Sequence, residues 1–151
     1  MTWIDKDRDE LNRNKQWQAE QAARNQLIAN DGETIYNNLW DEIRARIAEA
    51  KAKGLPTLIT NGSPFKRKII VPMTPKPTED SRRPLEVTVE LAPNKLAINI
   101  TGSYESPIRL TLDRGEDDVT RLKHNGEYQS IGDAAKLILR PLLFPDLFHQ
   151  E

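Results

Sequence analysis

Between residues 85 and 112 apolar and polar side chains alternate in three successive runs. Leu85, Val87, Val89 and Leu91 alternate with Glu86, Thr88 and Glu90. The pattern resumes after Ala92-Pro93-Asn94-Lys95, with Leu96, Ile98 and Ile100 against Ala97, Asn99 and Thr101. It resumes again with Ile108, Leu110 and Leu112 against Arg109 and Thr111. Neighbouring side chains on a strand point to opposite faces, so a period of two marks a half-buried strand. Three such runs joined by short turns predict an antiparallel meander with one apolar and one wet face.

Further strands are predicted on both sides. Phe65 to Val71 ends in the apolar run Ile69-Ile70-Val71, and Val119 to Lys123 follows the turn at 113–118. Asn125-Gly126 is a two-residue hairpin signal, because both positions tolerate a positive φ, and Glu127–Gln129 would close that hairpin. Residues 55–84 hold six of the ten prolines. Proline cannot donate to a ladder, so 72–84 reads as an extended loop, and Thr60-Asn61-Gly62-Ser63-Pro64 reads as a turn.

Two helices precede the strands in this reading. Residues 5–30 are polar and helix-prone, with acid-to-base pairs four apart at Asp9/Arg13 and Glu20/Arg24. Their apolar content is thin: Trp17, Leu27 and Ile28 can share a face, beside small alanines. A stripe so narrow cannot hold a helix to a core, since most helix stability in proteins comes from packing. Asn30-Asp31-Gly32 then interrupts the pattern, and Asp31 can cap a second helix over 33–53. There Ile35, Leu39, Ile43 and Ile47 recur every four residues, Gly54 suits the C′ position and Pro56 blocks continuation. A last helix begins at Ser130 and Asp133, buries Ala134, Leu137 and Ile138, and is expected to end or kink at Pro141. The apolar segment from Leu142 to Phe148 is expected to fold back over the sheet, with docking into another chain as the alternative.

Charge changes this picture in one place. The net charge is −1, but residues 55–84 carry six basic and two acidic side chains, a local basic stretch. The chain has no cysteine, which excludes a disulfide framework and cysteine-based zinc or redox chemistry. The start MTWIDKDRDEL has no apolar h-region, and no apolar run approaches the roughly 18 residues that span a bilayer. A soluble, cytoplasmic protein with no membrane partner is expected.

Catalytic motifs are missing. No phosphate-binding glycine loop, nucleophile elbow or grouped Ser/His/Asp set occurs, so neither cofactor nor metal is expected. The two histidines, His124 and His149, have no ligand spacing around them, and both read as surface residues. Asp113, Glu116, Asp117 and Asp118 lack the spacing of a calcium loop and read as a solvated turn.

These observations predict an α+β fold: an antiparallel meander of five or six strands with one face covered by two helices. The expected organisation is an N-terminal helical arm over residues 1–30 and a single domain over 31–151. The leading functional expectation is a non-enzymatic module for protein interaction or self-assembly, with Trp3, Trp17, Leu27 and Ile28 on the arm as partner-binding candidates. The alternative is a nucleic-acid or phosphate binder using Lys66, Arg67, Lys68, Arg82 and Arg83. A third reading is an enzyme whose site lies on the wet sheet face, where Glu86 and Glu90 share a side.

Overall fold

The computed structural model describes residues 2–72, 85–102 and 107–144. Its order is one long helix, α1 (Trp3–Ala52), seven strands and a second helix. The strands are β1 (Ile59–Ser63), β2 (Lys66–Val71), β3 (Leu85–Leu91), β4 (Ala97–Gly102), β5 (Ile108–Arg114), β6 (Thr120–His124) and β7 (Glu127–Gln129). The last helix is α2 (Ile131–Leu143). All seven strands form one antiparallel sheet in sequence order, a meander without crossover. The fold is therefore α+β, with seven strands rather than five or six.

The additional strand is β1. Its Thr-Asn-Gly-Ser stretch reads as a turn, yet it pairs with β2 from Ile59↔Ile70 to Ser63↔Lys66, and Pro64-Phe65 makes the turn instead. Gly62 is at φ +123°, and a Cβ there would lie 2.5 Å from the Lys66 carbonyl oxygen. The glycine thus admits a close backbone approach inside an edge strand and does not end it.

The second correction concerns α1, which does not break at Asn30-Asp31-Gly32. Thr2 is the N-cap, its hydroxyl accepting from the Asp5 N–H, and the helix then runs unbroken for 50 residues. Asp31 is a mid-helix residue whose carboxylate accepts from Thr120 Oγ1 at 2.7 Å and Arg114 Nη1 at 3.3 Å. A Cβ on Gly32 would lie 2.6 Å from the Lys95 carbonyl oxygen, so glycine lets the helix touch the β3–β4 turn. Its cost of roughly 1 kcal/mol in a helix interior is offset by that contact, and propagation of an existing helix is cheap. At the other end the expectation holds. Gly54, at φ +81°, donates to the Lys51 carbonyl, and Leu55 N–H donates to that of Ala50, the Schellman pattern.

Tyr36, Leu39, Trp40 and Ile43 of α1 pack with Ala134, Ala135, Ile138, Leu139 and Leu142 of α2 on the apolar sheet face. That face is supplied by Ile69, Val87, Val89, Ile98, Ile100, Leu110, Leu112 and Leu122. The Tyr36 hydroxyl donates to the Val89 carbonyl at 2.6 Å, so this buried polar tip is satisfied. Ser130 caps α2 by accepting from Asp133 N–H at 3.0 Å, as the sequence suggests. Pro141 does not end that helix, which continues to Leu143 and buries Leu142. Of the apolar C-terminal segment, Leu142 covers the core, Leu143 is half-buried, Phe144 is exposed, and residues 145–148 lie outside the described residues. Among the described residues no helix is long and apolar enough to cross a membrane.

Candidate interaction site

The helix α1 has two environments. From Ile28 onward its stripe is buried against the sheet, whereas the side chains of residues 2–27 are exposed apart from half-buried Asp5 and Gln21. Trp3 is 73% exposed, Ile4 58%, Leu11 52% and Trp17 61%. These four are not scattered. Ile4 precedes Trp40, and Leu11 precedes Ile47, by 36 residues, and Trp17 precedes Ile35 by 18. At roughly 3.6 residues per turn these intervals are about ten and about five turns. The exposed apolar residues therefore continue the core-facing stripe along a part of the helix that has no sheet beneath it. Arg24 is the first α1 residue to bond the sheet, donating to Asp113 Oδ1 at 2.8 Å and to the Arg114 carbonyl.

The candidate arm residues divide accordingly. Trp3 and Trp17 lie on this unpartnered stripe, while Leu27, 47% exposed, falls on another side of the helix. Ile28, at 4%, belongs to the core and marks where packing begins. Ile4 and Leu11 were missed by sequence reading, because a presumed break at residue 30 put the two halves of the helix out of phase. Counting the stripe through Gly32 would have found them.

The described part of the basic segment, Lys66 to Lys68, is divided between both sheet faces. Lys66 and Lys68 stand on the open face, 3.8 Å from Glu90 and 2.9 Å from Glu86 respectively. Arg67 points to the helix side, where its guanidinium lies 5.3 Å from the Trp40 ring centroid and 6.0 Å from that of Tyr36. Arg82 and Arg83 lie outside the described residues. Glu86 and Glu90 accordingly each face a lysine on the open sheet face.

The acidic turn is likewise matched by its own cations. Asp113 is held below the usual carboxylate range, first by the hydrogen bond from Lys123 and then by that from Arg24. Arg121 binds Asp117 through both Nη atoms and draws its carboxyl down to about 2. Lys123 and Arg121 also flank the Tyr128 ring, 4.6 and 5.8 Å from its centroid. His124 ends β6 beside the Asn125-Gly126 turn, and His149 lies outside the described residues. Among the described residues no three His, Asp or Glu side chains are grouped to hold a metal ion.

A groove of about 490 Å³ lies between the C-terminal end of α1 and α2. Ala50, Leu55, Leu139, Leu143 and Phe144 form its apolar wall. Arg46, Lys53, Lys136 and Arg140 stand around it, with Glu49 as the single carboxylate among its lining residues.

The geometry thus defines an open antiparallel meander carrying a helical arm, with an apolar stripe on the arm and an apolar, cation-rimmed groove. Comparison with known proteins finds no matching family model, no similar curated protein and no similar solved structure.

Proposed function

We propose that the protein is a non-enzymatic interaction module that associates with a protein, or with itself, through the N-terminal arm. The observation that carries this reading is the unpartnered continuation of the core stripe at Trp3, Ile4, Leu11 and Trp17. Two exposed tryptophans on one polar helix are costly to leave in water, and aromatic anchors of this kind dominate interface energetics. A cysteine-free chain has no disulfide to lose in a reducing compartment, which suits work in the cytoplasm.

The test compares the full chain with a chain lacking residues 2–23 and with the full-length double variant Trp3→Ser/Trp17→Ser. Sedimentation should give a mass above the monomer, or a retained protein partner, for the full chain alone, while all three keep the same cooperative urea unfolding at concentrations where they are monomeric. Equal masses and equal binding across the three would overturn the reading.

A further inference from the structure

The groove between α1 and α2 has no role in the association reading as it stands. We infer that it receives the arm tip of a second copy of this chain. The inference rests on the proposal that the arm is an association element, and it names the surface and the partner.

Charge is the first argument. Residues 2–12 carry four carboxylates, Asp5, Asp7, Asp9 and Glu10, against two cations, Lys6 and Arg8. The groove presents Arg46, Lys53, Lys136 and Arg140; Arg46 is paired with Glu42 and Glu49, and Lys53 with Glu49, so two carboxylates answer four cations and the rim keeps an excess positive charge. An acidic tip with apolar anchors meets an apolar cleft with a cationic rim, and complementary potentials of this kind set register and partner choice. Size agrees, since about 490 Å³ falls within the roughly 300–1,000 Å³ of clefts that enclose ligand-sized groups. The indole of Trp3 and the side chain of Ile4, adjacent on the first turn, are groups of that class.

Reach is the second argument, and it decides between the chain's own groove and another's. Ile4 and Glu49 are 45 residues apart on one uninterrupted helix. At roughly 1.5 Å rise per residue the tip stands about 68 Å from the groove of its own chain. The one glycine between them, Gly32, is helical and pressed against the Lys95 carbonyl, so it provides no hinge. The tip can therefore enter this groove only in another copy. If the exchange is reciprocal, the two α1 helices run antiparallel, each copy giving one tip and one groove, and the assembly closes as a two-fold dimer.

The chain has no cysteine, so single introduced thiols report contacts unambiguously. Differently tagged full-length copies carrying Lys6→Cys and Lys136→Cys are mixed and treated with a short bismaleimide. In parallel, Gly132→Trp is made to plug the groove that Gly132 lines; a Cβ at residue 132 meets nothing closer than Ser130 Oγ at 3.8 Å, so the backbone there admits a side chain. The expected results are an inter-copy 6–136 product and a dimer at least tenfold weaker in Gly132→Trp, with an unchanged melting temperature at concentrations where both proteins are monomeric. An arm-dependent dimer that cross-links only arm to arm and ignores Gly132→Trp overturns the groove inference and leaves the arm reading standing. A thiol at 136 that joins no second copy, as when the chain's own residues 145–151 fill the cleft, also overturns it. A monomer at every concentration, with no cross-link, overturns both the inference and self-association through the arm.

Discussion

Residues 3–27 and 28–52 of α1 belong to one helix yet live in different solvents. The second half buries Ile28, Tyr36, Leu39, Trp40 and Ile43 against the sheet. The first half relies on local support: the Thr2 cap, Arg8–Asp5 at 3.6 Å, and Gln16–Glu20 and Gln26–Asn30 hydrogen bonds at 3.3 and 2.9 Å. Exposed pairs of this kind contribute only a few tenths of a kcal/mol each. Nucleation is the unfavourable step in helix formation, and packing at 28–52 supplies it, after which the arm propagates from an existing end. An apolar stripe is thus buried where a sheet lies beneath it and exposed where none does. The same residue types at the same phase serve both ends.

Truncation in the two halves should separate most sharply. Leu39 is wholly buried, so Leu39→Ala should destabilise the fold by about 2–5 kcal/mol through lost transfer energy and the cavity left behind. Leu11→Ala, on the same face of the arm, should stay within about 0.5 kcal/mol. Urea unfolding of both variants at a concentration where the protein is monomeric measures the difference. Comparable losses would mean that the arm packs on its own body.

Gly32 comes next. In a free helix Gly→Ala would stabilise by roughly 1 kcal/mol. Here the added methyl would lie 2.6 Å from the Lys95 carbonyl oxygen and 3.3 Å from Leu112 Cδ1, and the first of these is backbone that cannot swing aside. Gly32→Ala should therefore destabilise by about 1–3 kcal/mol in urea titrations, the usual cost of overpacking. A stabilised variant would place the start of the packed half further along the helix.

How much of this was legible beforehand follows from the range of each interaction. The alternation over 85–112, the Asn125-Gly126 hairpin, the Gly54 C′ position and the Ser130 cap are local signals, and the structure carries them at those positions. Asn30-Asp31-Gly32 was misread because its reasons are long-range. Asp31 answers Arg114 and Thr120, more than 80 residues away, and Gly32 answers the Lys95 carbonyl. The same holds for β1, whose Gly62 makes room for the backbone of β2. Pro141 was expected to end or kink α2; the helix does not end there, and the burial of Leu142 favours its continuation. The aromatic part of the arm could be named from sequence as Trp3 and Trp17. Its extension to Ile4 and Leu11 needed the helix to be continuous. The groove could not be read at all, since its lining comes from segments more than 70 residues apart.

A smaller effect concerns the anchor of the packed half. Burial, partly opposed by nearby Arg67, pushes the Tyr36 hydroxyl from 10.0 up to about 12. The folded state therefore keeps a proton that the unfolded chain releases. Its contribution to stability is complete below pH 10 and is lost as pH rises from 10 to 12. Tyr36→Phe removes the bond to the Val89 carbonyl and should cost about 0.5–1.5 kcal/mol near neutral pH. The gap between wild type and variant should then close between pH 10 and 12 in denaturant titrations. A constant gap across that window would show that the hydroxyl ionises equally in both states.

The smallest expected effect lies at the boundary between the halves. Arg24 is the last arm residue with a hold on the sheet, through Asp113 and the Arg114 carbonyl, and its side chain is half exposed. Arg24→Ala should cost about 0–1 kcal/mol, as partly exposed ion pairs do. Its pH dependence has a definite sign. Asp113 is more acidic in the folded state, so its contribution is present above the ordinary value of 3.8 and is lost as pH falls through its lowered folded value. Lys123, the larger cause of that lowering, remains in the variant, whose acid-side loss should be smaller but not abolished. The difference between wild type and Arg24→Ala should therefore shrink on the acid side of 3.8, and also in high salt. A loss above 2 kcal/mol that persists in acid would mean that Arg24 holds more than an ion pair. The sheet would then grip α1 a full turn before Ile28, and the free stripe would end at Trp17.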